Sequence, residues 1–379
     1  YVVVEIAAVC FISYGQCWSG ISNCLFYLSF RAFFDPFGSD GIALAAGAPH
    51  YLYVSDVNMY GGGQFHSGYD GSFTKNGPII NSYPVQGAHW ERASEFDLGV
   101  DMRFFDQLNI TVDWFKNKRD RILMRRASFP SVLGYQNAIP WANVGKVDNT
   151  GLELSLNWTK TFQKDWTFDA RFNYSYSRNK YVYVDEPDYP YIWQTRTGKP
   201  LSSTYGYVAE GLFRDEAEIK ASPDQSLFGS TIMPGDIKYR DINGDGSITS
   251  EDQIMLSPYC NMPRIQYGFG LSMQWKNLDL SVFFNGSAKR TIMISGVSPF
   301  CANDSNDNNL MQWIADSHWS EGADNTGVLY PRLGTLTTQV TNNTQPSSFW
   351  MRNGNFLRFK TLELGYRFKW FRLYFSANN

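Results

Sequence analysis

The chain repeatedly places apolar side chains at every second position. In EFDLGVDMRFF the apolar set is Phe96, Leu98, Val100, Met102 and Phe104, interleaved with Glu95, Asp97, Gly99, Asp101 and Arg103. LNITVDWF, from Leu108, and GLELSLNW, from Gly151, repeat the pattern. WTFDARFNYSYS, from Trp166, sets Trp166, Phe168, Ala170, Phe172, Tyr174 and Tyr176 against Thr167, Asp169, Arg171, Asn173 and Ser175. IQYGFGLSMQW, LDLSVFF, FLRFKTLELGYRF and RLYFSAN carry it to the C-terminal end. In FLRFKTLELGYRF the apolar set is Phe356, Leu362, Leu364, Tyr366 and Phe368, broken by Arg358 and Lys360. Period two predicts strands with one apolar and one polar face.

A soluble sandwich gives the same alternation. Four details favour a membrane β-barrel. Several segments run near the ~9–11 residues of a tilted membrane-spanning strand. The polar face carries charges that suit a wet lumen. Trp114, Trp158, Trp166 and Trp275 mark strand ends, where amphipathic rings favour the membrane–water boundary. Connection lengths also alternate. Short turns at Asp106-Gln107, between Trp158 and Trp166, at Lys276-Asn277 and after Phe368 separate long polar loops of about 117–149, 178–263 and 286–355. Outer-membrane barrels have short turns inside and long loops outside. The expected fold class is therefore all-β: an antiparallel transmembrane β-barrel, partial, with long extracellular loops. The alternative is a soluble, calcium-stabilised β-sandwich that binds carbohydrate.

Composition sharpens this picture. Aromatic residues make up 17% of the 379 residues and charged residues only 18%, which suits β-structure. The formal net charge of −3 argues against nucleic acid as a partner. No run is long and apolar enough for a transmembrane helix. Cys10, Cys17 and Cys24 are spaced as on one helical face, without a histidine cluster that would suggest zinc. A Cys260–Cys301 disulfide is left open.

One motif carries chemistry. DINGDGSITSED offers oxygen ligands at Asp241, Asn243 and Asp245, a turn glycine at Gly246, the Ser247 carbonyl, Thr249, and Asp252 at the twelfth position. A hard cation such as a structural calcium ion suits such a set. The flanks contain proline and form no amphipathic helices, so a helix–loop–helix sensor is excluded. A loop closed by Asx turns with no ion is the alternative. NVGKVDNTG, Asn143–Gly151, reads as a Gly/Asn turn leading into a strand. Trp141, Tyr191, Trp193, Trp313, Trp319 and Trp350 could stack on sugars, but self-packing of the loops is the preferred reading for each. Asn342 and Asn343 read as ordinary loop composition. His50, His66, His89 and His318 are isolated, and Asp316, Ser317 and His318 are adjacent only in sequence. No catalytic constellation emerges, and the chain is expected not to be an enzyme.

The motifs together resemble a known family. WANVGKVDNTGLELSLNW is similar to a strand opening of SusC/RagA-type TonB-dependent outer-membrane transporters. YGYVAEGLFRDEAEI, PGDIKYRDINGDGSIT and PRIQYGFGLSMQWKNLDLSVFFNG follow in that family's order, and FLRFKTLELGYRF and RLYFSANN resemble its late strands. The resemblance implies a plugged barrel in the outer membrane of a Gram-negative bacterium. It implies import of glycans, oligosaccharides or peptides, energised by the TonB complex and assisted by a SusD-like surface lipoprotein. The surrounding solvent would be outer-membrane lipid. No plug or TonB-binding segment is visible, so a barrel fragment that does not transport alone is expected. Residues 1–34 do not resemble the family, and 35–379 are assigned to the barrel.

Overall fold

The computed structural model describes residues 53–85, 87–128, 139–163, 165–259, 262–294, 310–334 and 340–379, with the backbone of two further strands at 27–35 and 40–41. The five cysteines and His50 lie outside the residues described with side chains.

The alternating segments form one antiparallel sheet. Its long strands are β1 (Tyr27–Asp35), β2 (Glu91–Phe104), β3 (Leu108–Arg125), β4 (Trp141–Phe162), β5 (Trp166–Tyr183), β6 (Ile265–Trp275), β7 (Leu278–Ala288), β8 (Phe356–Arg367) and β9 (Arg372–Asn378). Each pairs with its neighbour in the chain, and Asp40–Gly41 also pairs with β2. Among the described residues the sheet does not close, and β1 and β9 are its edges. The pairing of β1 with β2 places Tyr27–Asp35 at the edge of the sheet.

Register turns the alternation into two faces. Met102, Ile110, Leu156, Phe172, Phe269, Phe284 and Phe359 form one continuous apolar row across seven strands. On the other face, Thr111 donates to Asp101 at 2.8 Å, Ser155 to Asn173 at 3.1 Å and Thr159 to Asp169 at 2.7 Å. Leu271 on the apolar face is 57% exposed. Every other sheet among the described residues has only two strands, so the broad second sheet that a sandwich needs is not among them. An apolar face left bare by protein is what lipid requires. At the turn end, Trp166 stacks on Trp275 at 5.2 Å and packs beside Phe168, forming an aromatic rim.

The break at Arg358 and Lys360 is a bulge. Phe283 pairs with Thr361 but Phe284 pairs with Phe359, so Lys360 is the extra residue. The extra residue reverses the parity of everything before it. Phe359 and Leu357 therefore join the apolar face. Phe356 pairs with Ser287 on the polar face, correcting its place in the apolar set. The first hairpin turns at Phe105 and Asp106, both with positive φ (53° and 56°), one residue earlier than expected. Such paired values match the right-handed twist of the strands.

The strands also outrun the alternation. β3, β4 and β5 have 18, 22 and 18 residues, well beyond what a membrane needs. The connections accordingly shrink to 126–140, 184–264 and 289–355. Above the membrane both faces meet water, so the ladder continues with no apolar period to announce it. NVGKVDNTG is strand interior for this reason, which corrects its reading as a turn. The β3–β4 register shifts between Arg119 and Ile122, and Asn143 clamps this break: its Nδ2 donates to the Arg121 and His89 carbonyls at 2.8 and 2.9 Å. Arg121 there has φ +57°.

Gly151 lies beneath the Phe115 ring, and a Cβ would also approach the Tyr176 carbonyl to 2.6 Å. Gly151→Val should destabilise the barrel by about 1–3 kcal/mol through overpacking. Adding Phe115→Ala should restore the part of the loss owed to the ring, while the clash with the Tyr176 carbonyl remains. Heat-modifiable gel migration of the two variants tests this, and failure of the second change to rescue the first would refute the steric account.

Candidate functional site

The main buried cluster of the described residues lies in the long connections rather than in the sheet. Tyr207, Ile237, Tyr239, Ile248, Ile314, Tyr330, Val340 and Trp350 form one cluster, each at most 3% exposed. Short ladders build its frame: Thr204–Gly206 with Ile254–Ser257, Ala209–Leu212 with Ile237–Tyr239, and Thr291–Met293 with Met351–Asn353. The described parts of the connections 184–264 and 289–355 are thus one folded cap at the loop end of the sheet.

Polar groups lock the two connections together. Ile237–Tyr239 has a strand partner on one side only. On the other, side-chain amides take the partner's role. Asn343 Oδ1 accepts from Ile237 N at 2.9 Å, and Asn342 Nδ2 donates to Ile237 O at 2.9 Å. Gln225 Oε1 accepts from Tyr239 N and its Nε2 donates to Asn342 Oδ1, both at 2.8 Å. Asp236 is fully buried and holds the centre. Arg332 reaches it at 2.6 Å through Nε and 3.1 Å through Nη2, while Met233 N and Asn343 Nδ2 donate at 2.9 and 2.8 Å. Burial pushes the Asp236 carboxyl above its ordinary range, against the pull of these donors. Burial likewise pushes the Tyr239 phenol up, so it stays a neutral donor to the Asn342 carbonyl.

The DINGDGSITSED loop borders this core. Ile248 is fully buried in it, and Asp224 pairs with Gly246 and Ile248 through backbone bonds of 2.9 and 2.8 Å. Asp241 accepts from Gly244 N and Gly246 N at 2.6 and 2.8 Å. Asn243 Oδ1 accepts from Asp245 N, and Asp245 Oδ1 from Ser247 N. Thr249 accepts from Glu251 N as the cap of a short 3₁₀ turn. Asp252, fully buried, turns inward and accepts from Ile242, Asn243 and Thr249 N–H groups at 2.8, 3.3 and 2.8 Å. Five of the six residues expected to ligate, all but Ser247, are therefore adjacent but engaged through side-chain oxygens with the loop's own N–H groups. Among the described residues no three His, Cys, Asp or Glu converge as a metal cage. The geometry has the form of the Asx-turn alternative. Calcium here is a proposal that titration decides: a cap melting point raised by calcium and lowered by chelator supports the ion. With or without it, Asp252→Ala should cost about 2–3 kcal/mol of cap stability, since it removes a buried acceptor from three half-buried N–H donors. Asp245→Ala, at the exposed tip, should cost under about 1 kcal/mol. Proteolytic nicking of the loop measures both, and equal effects would refute this division.

A cleft of about 840 Å³ opens on the cap between residues 211–216 and 319–328. Trp319 and Phe349 line it, with Asp215, Glu216, Glu321 and Asp324 around them. Gly235 has φ +87° and admits the Trp319 ring where a Cβ would collide. Trp350 packs inside, donating to the Asn343 carbonyl at 2.8 Å, as self-packing requires. Tyr191 and Trp193 stack on each other at 4.5 Å. Asp316, Ser317 and His318 form no triad: the His318 ring bonds the Ala315 carbonyl at 2.7 Å and Ser320 at 3.2 Å.

Sequence reasoning missed Gln225, Asp236, Arg332, Asn342 and Asn343. The contacts that join the two connections span about a hundred residues, and amide side chains in a polar stretch look like any loop. The one local signal is Asp236 at the head of the short alternating run Ile237–Tyr239.

Residues 54–379 match the family described as TonB dependent receptor-like, beta-barrel. The chain belongs to this family. Its members are outer-membrane proteins of Gram-negative bacteria, receptors and transporters rather than enzymes. TonB-dependent receptor P3 of Formosa agariphila is 26% identical over 308 residues, 77% of this chain and 28% of that protein. TonB-dependent receptor SusC of Bacteroides thetaiotaomicron is 22% identical over 289 residues, 74% of this chain and 26% of that one. The RagAB peptide transporter shares the fold with a TM-score of 0.54 at 20% identity, covering 90% of this chain and 34% of that one. The same importer in its open-open state gives 0.55, also at 20% identity, covering 91% of this chain and 34% of that one. The chain thus spans about a quarter to a third of the length of these relatives. The family match begins at residue 54, downstream of β1.

Proposed function

We propose that this chain forms part of the wall and outer cap of a TonB-dependent importer in the outer membrane. The cargo is a glycan, an oligosaccharide or a peptide. A SusD-like lipoprotein seats over the loop end, and the TonB complex supplies the energy. One observation carries this reading: a single sheet has a bare apolar face, a hydrogen-bonded polar face, and a folded cap over one end only. Lipid on one side, aqueous cargo on the other and recognition on the cap account for all three.

The polar face offers alternating donors and acceptors rather than an apolar slot. A shallow depression of about 440 Å³ there is lined by Asp113, Glu153, Asn173, Gln266 and Asn285, with Phe283 beside them. Such a wall suits hydroxyl-rich or amide-rich cargo. RagAB is described as a peptide transporter, which adds support for peptides.

The test uses the intact outer-membrane protein carrying this sequence, with its lipoprotein, in detergent. Calorimetric titration with defined oligosaccharides and with peptides should give saturable binding for one class. Absence of binding to both, with the protein folded by heat-modifiable migration, would overturn the reading.

A further inference from the structure

The outward face of β3, β4 and β5 changes character abruptly above the membrane. Leu98, Trp114, Leu152 and Tyr176 form the last apolar row. The next row outward is Phe96, Lys116, Thr150 and Arg178, and the one above it Ser94, Lys118, Asp148 and Lys180. Two rows therefore hold four cations and one carboxylate. Lys118, Arg178 and Lys180 are exposed and Lys116 is half-buried. None of the four forms an ion pair among the described residues. Lys289 adds a fifth cation over the Tyr176 ring at 5.3 Å.

Three of these cations, Lys116, Arg178 and Lys180, line with Asp148 a depression of about 510 Å³ that rises from Trp114, Leu152 and Tyr176 past Thr150, while Lys118 and Lys289 stand outside it. Its lower end is apolar and its upper end cationic. Neighbouring strands are ~4.8 Å apart, so Lys116 and Arg178 flank Thr150 at ~10 Å, a span an anionic group can bridge. Arginine and lysine at such a site take phosphate oxygens. Because side chains alternate, this surface lies on the lipid side and cannot face cargo in the lumen.

We infer that this surface binds a phosphate-bearing anionic lipid of the outer leaflet, with its acyl chains against Trp114, Leu152 and Tyr176 and its phosphate between Lys116 and Arg178. The inference rests on the barrel reading and not on the import reading, and its test reads lipid rather than transport. At the opposite rim the outward face of β4 presents Lys160 against Phe162, at 4.9 Å, with no second row of cations on these three strands.

The test uses the intact protein carrying this sequence, in mixed micelles of phosphatidylcholine and phosphatidylglycerol, with retained lipid counted by mass spectrometry. The wild type should enrich phosphatidylglycerol by about tenfold. The variant Lys116→Gln, Lys118→Gln, Arg178→Gln, Lys180→Gln should fall to within about twofold, with heat-modifiable migration unchanged. Lys160→Gln should keep the enrichment and serves as the matched control. No preference in the wild type, or full preference in the fourfold variant, overturns the inference. So does protection of the four side chains from covalent labelling by inorganic phosphate alone, which would assign the site to free phosphate.

Discussion

Trp350→Ala should loosen the loop cap while leaving the barrel sheet paired. Trp350 is 1% exposed and stands between Tyr330 and Phe349, with ring centroids 5.4 and 5.1 Å away. Truncating a buried tryptophan removes its contacts and leaves a cavity, at a cost of ~3–5 kcal/mol. It also strands the Asn343 carbonyl, which accepts the indole N–H. The cap has its own core, so the loss should stay local. Amide exchange should rise in 204–257 and 312–350 and remain slow in β3, β4 and β5. A uniform rise across the sheet would show that cap and barrel unfold as one, against the separate core described above.

The lipid-facing part of this fold was legible because lipid imposes a strict period. Each strand between Leu108 and Trp114 or Trp166 and Tyr176 must show apolar groups to the membrane, and the chain says so residue by residue. Above Trp114 that constraint ends. Lys116–Arg125 and Asn143–Thr150 are still strand, yet nothing in their polarity distinguishes them from a loop. The Lys360 bulge was hidden for a related reason. One inserted residue reverses parity, and only the pairing of Phe284 with Phe359 reveals it.

The cap was less legible. Ile237 and Tyr239 are among its most buried residues, but the groups that satisfy their backbone are Gln225, Asn342 and Asn343. A side-chain amide that imitates a strand partner leaves no periodic trace. The acidic loop shows the converse. Asp241, Asn243, Asp245 and Asp252 have the spacing of a cation site, and the same spacing serves Asx turns. Spacing fixes which oxygens meet in the loop, whereas the N–H groups competing for them appear only in three dimensions.

Arg332→Ala is expected to be as damaging as the tryptophan change, and its damage should depend on pH. Removing the guanidinium leaves the Asp236 carboxylate buried with only Met233 N and Asn343 Nδ2 as donors. Breaking a buried pair in this way costs ~3–5 kcal/mol. Burial already holds the Asp236 carboxyl above its ordinary range with Arg332 present, and without Arg332 the shift should grow. A carboxyl with a raised folded-state pKa binds protons more tightly folded than unfolded. Stability from this group is then fully present below the unfolded value of ~3.9 and is lost as pH rises through the folded value. The Arg332→Ala cap should therefore be weakest near neutral pH and partly recover on acidification, whereas Trp350→Ala should show no such recovery. Replacing both partners, Asp236→Leu with Arg332→Met, should regain stability over Arg332→Ala near neutral pH, because no charge is then left buried. Cap melting of the three variants at pH 5 and pH 8 separates these outcomes. A loss in Arg332→Ala that is equal at both pH values would mean that Asp236 is hydrated once its partner is gone, and that the pair is not the lock between the two connections.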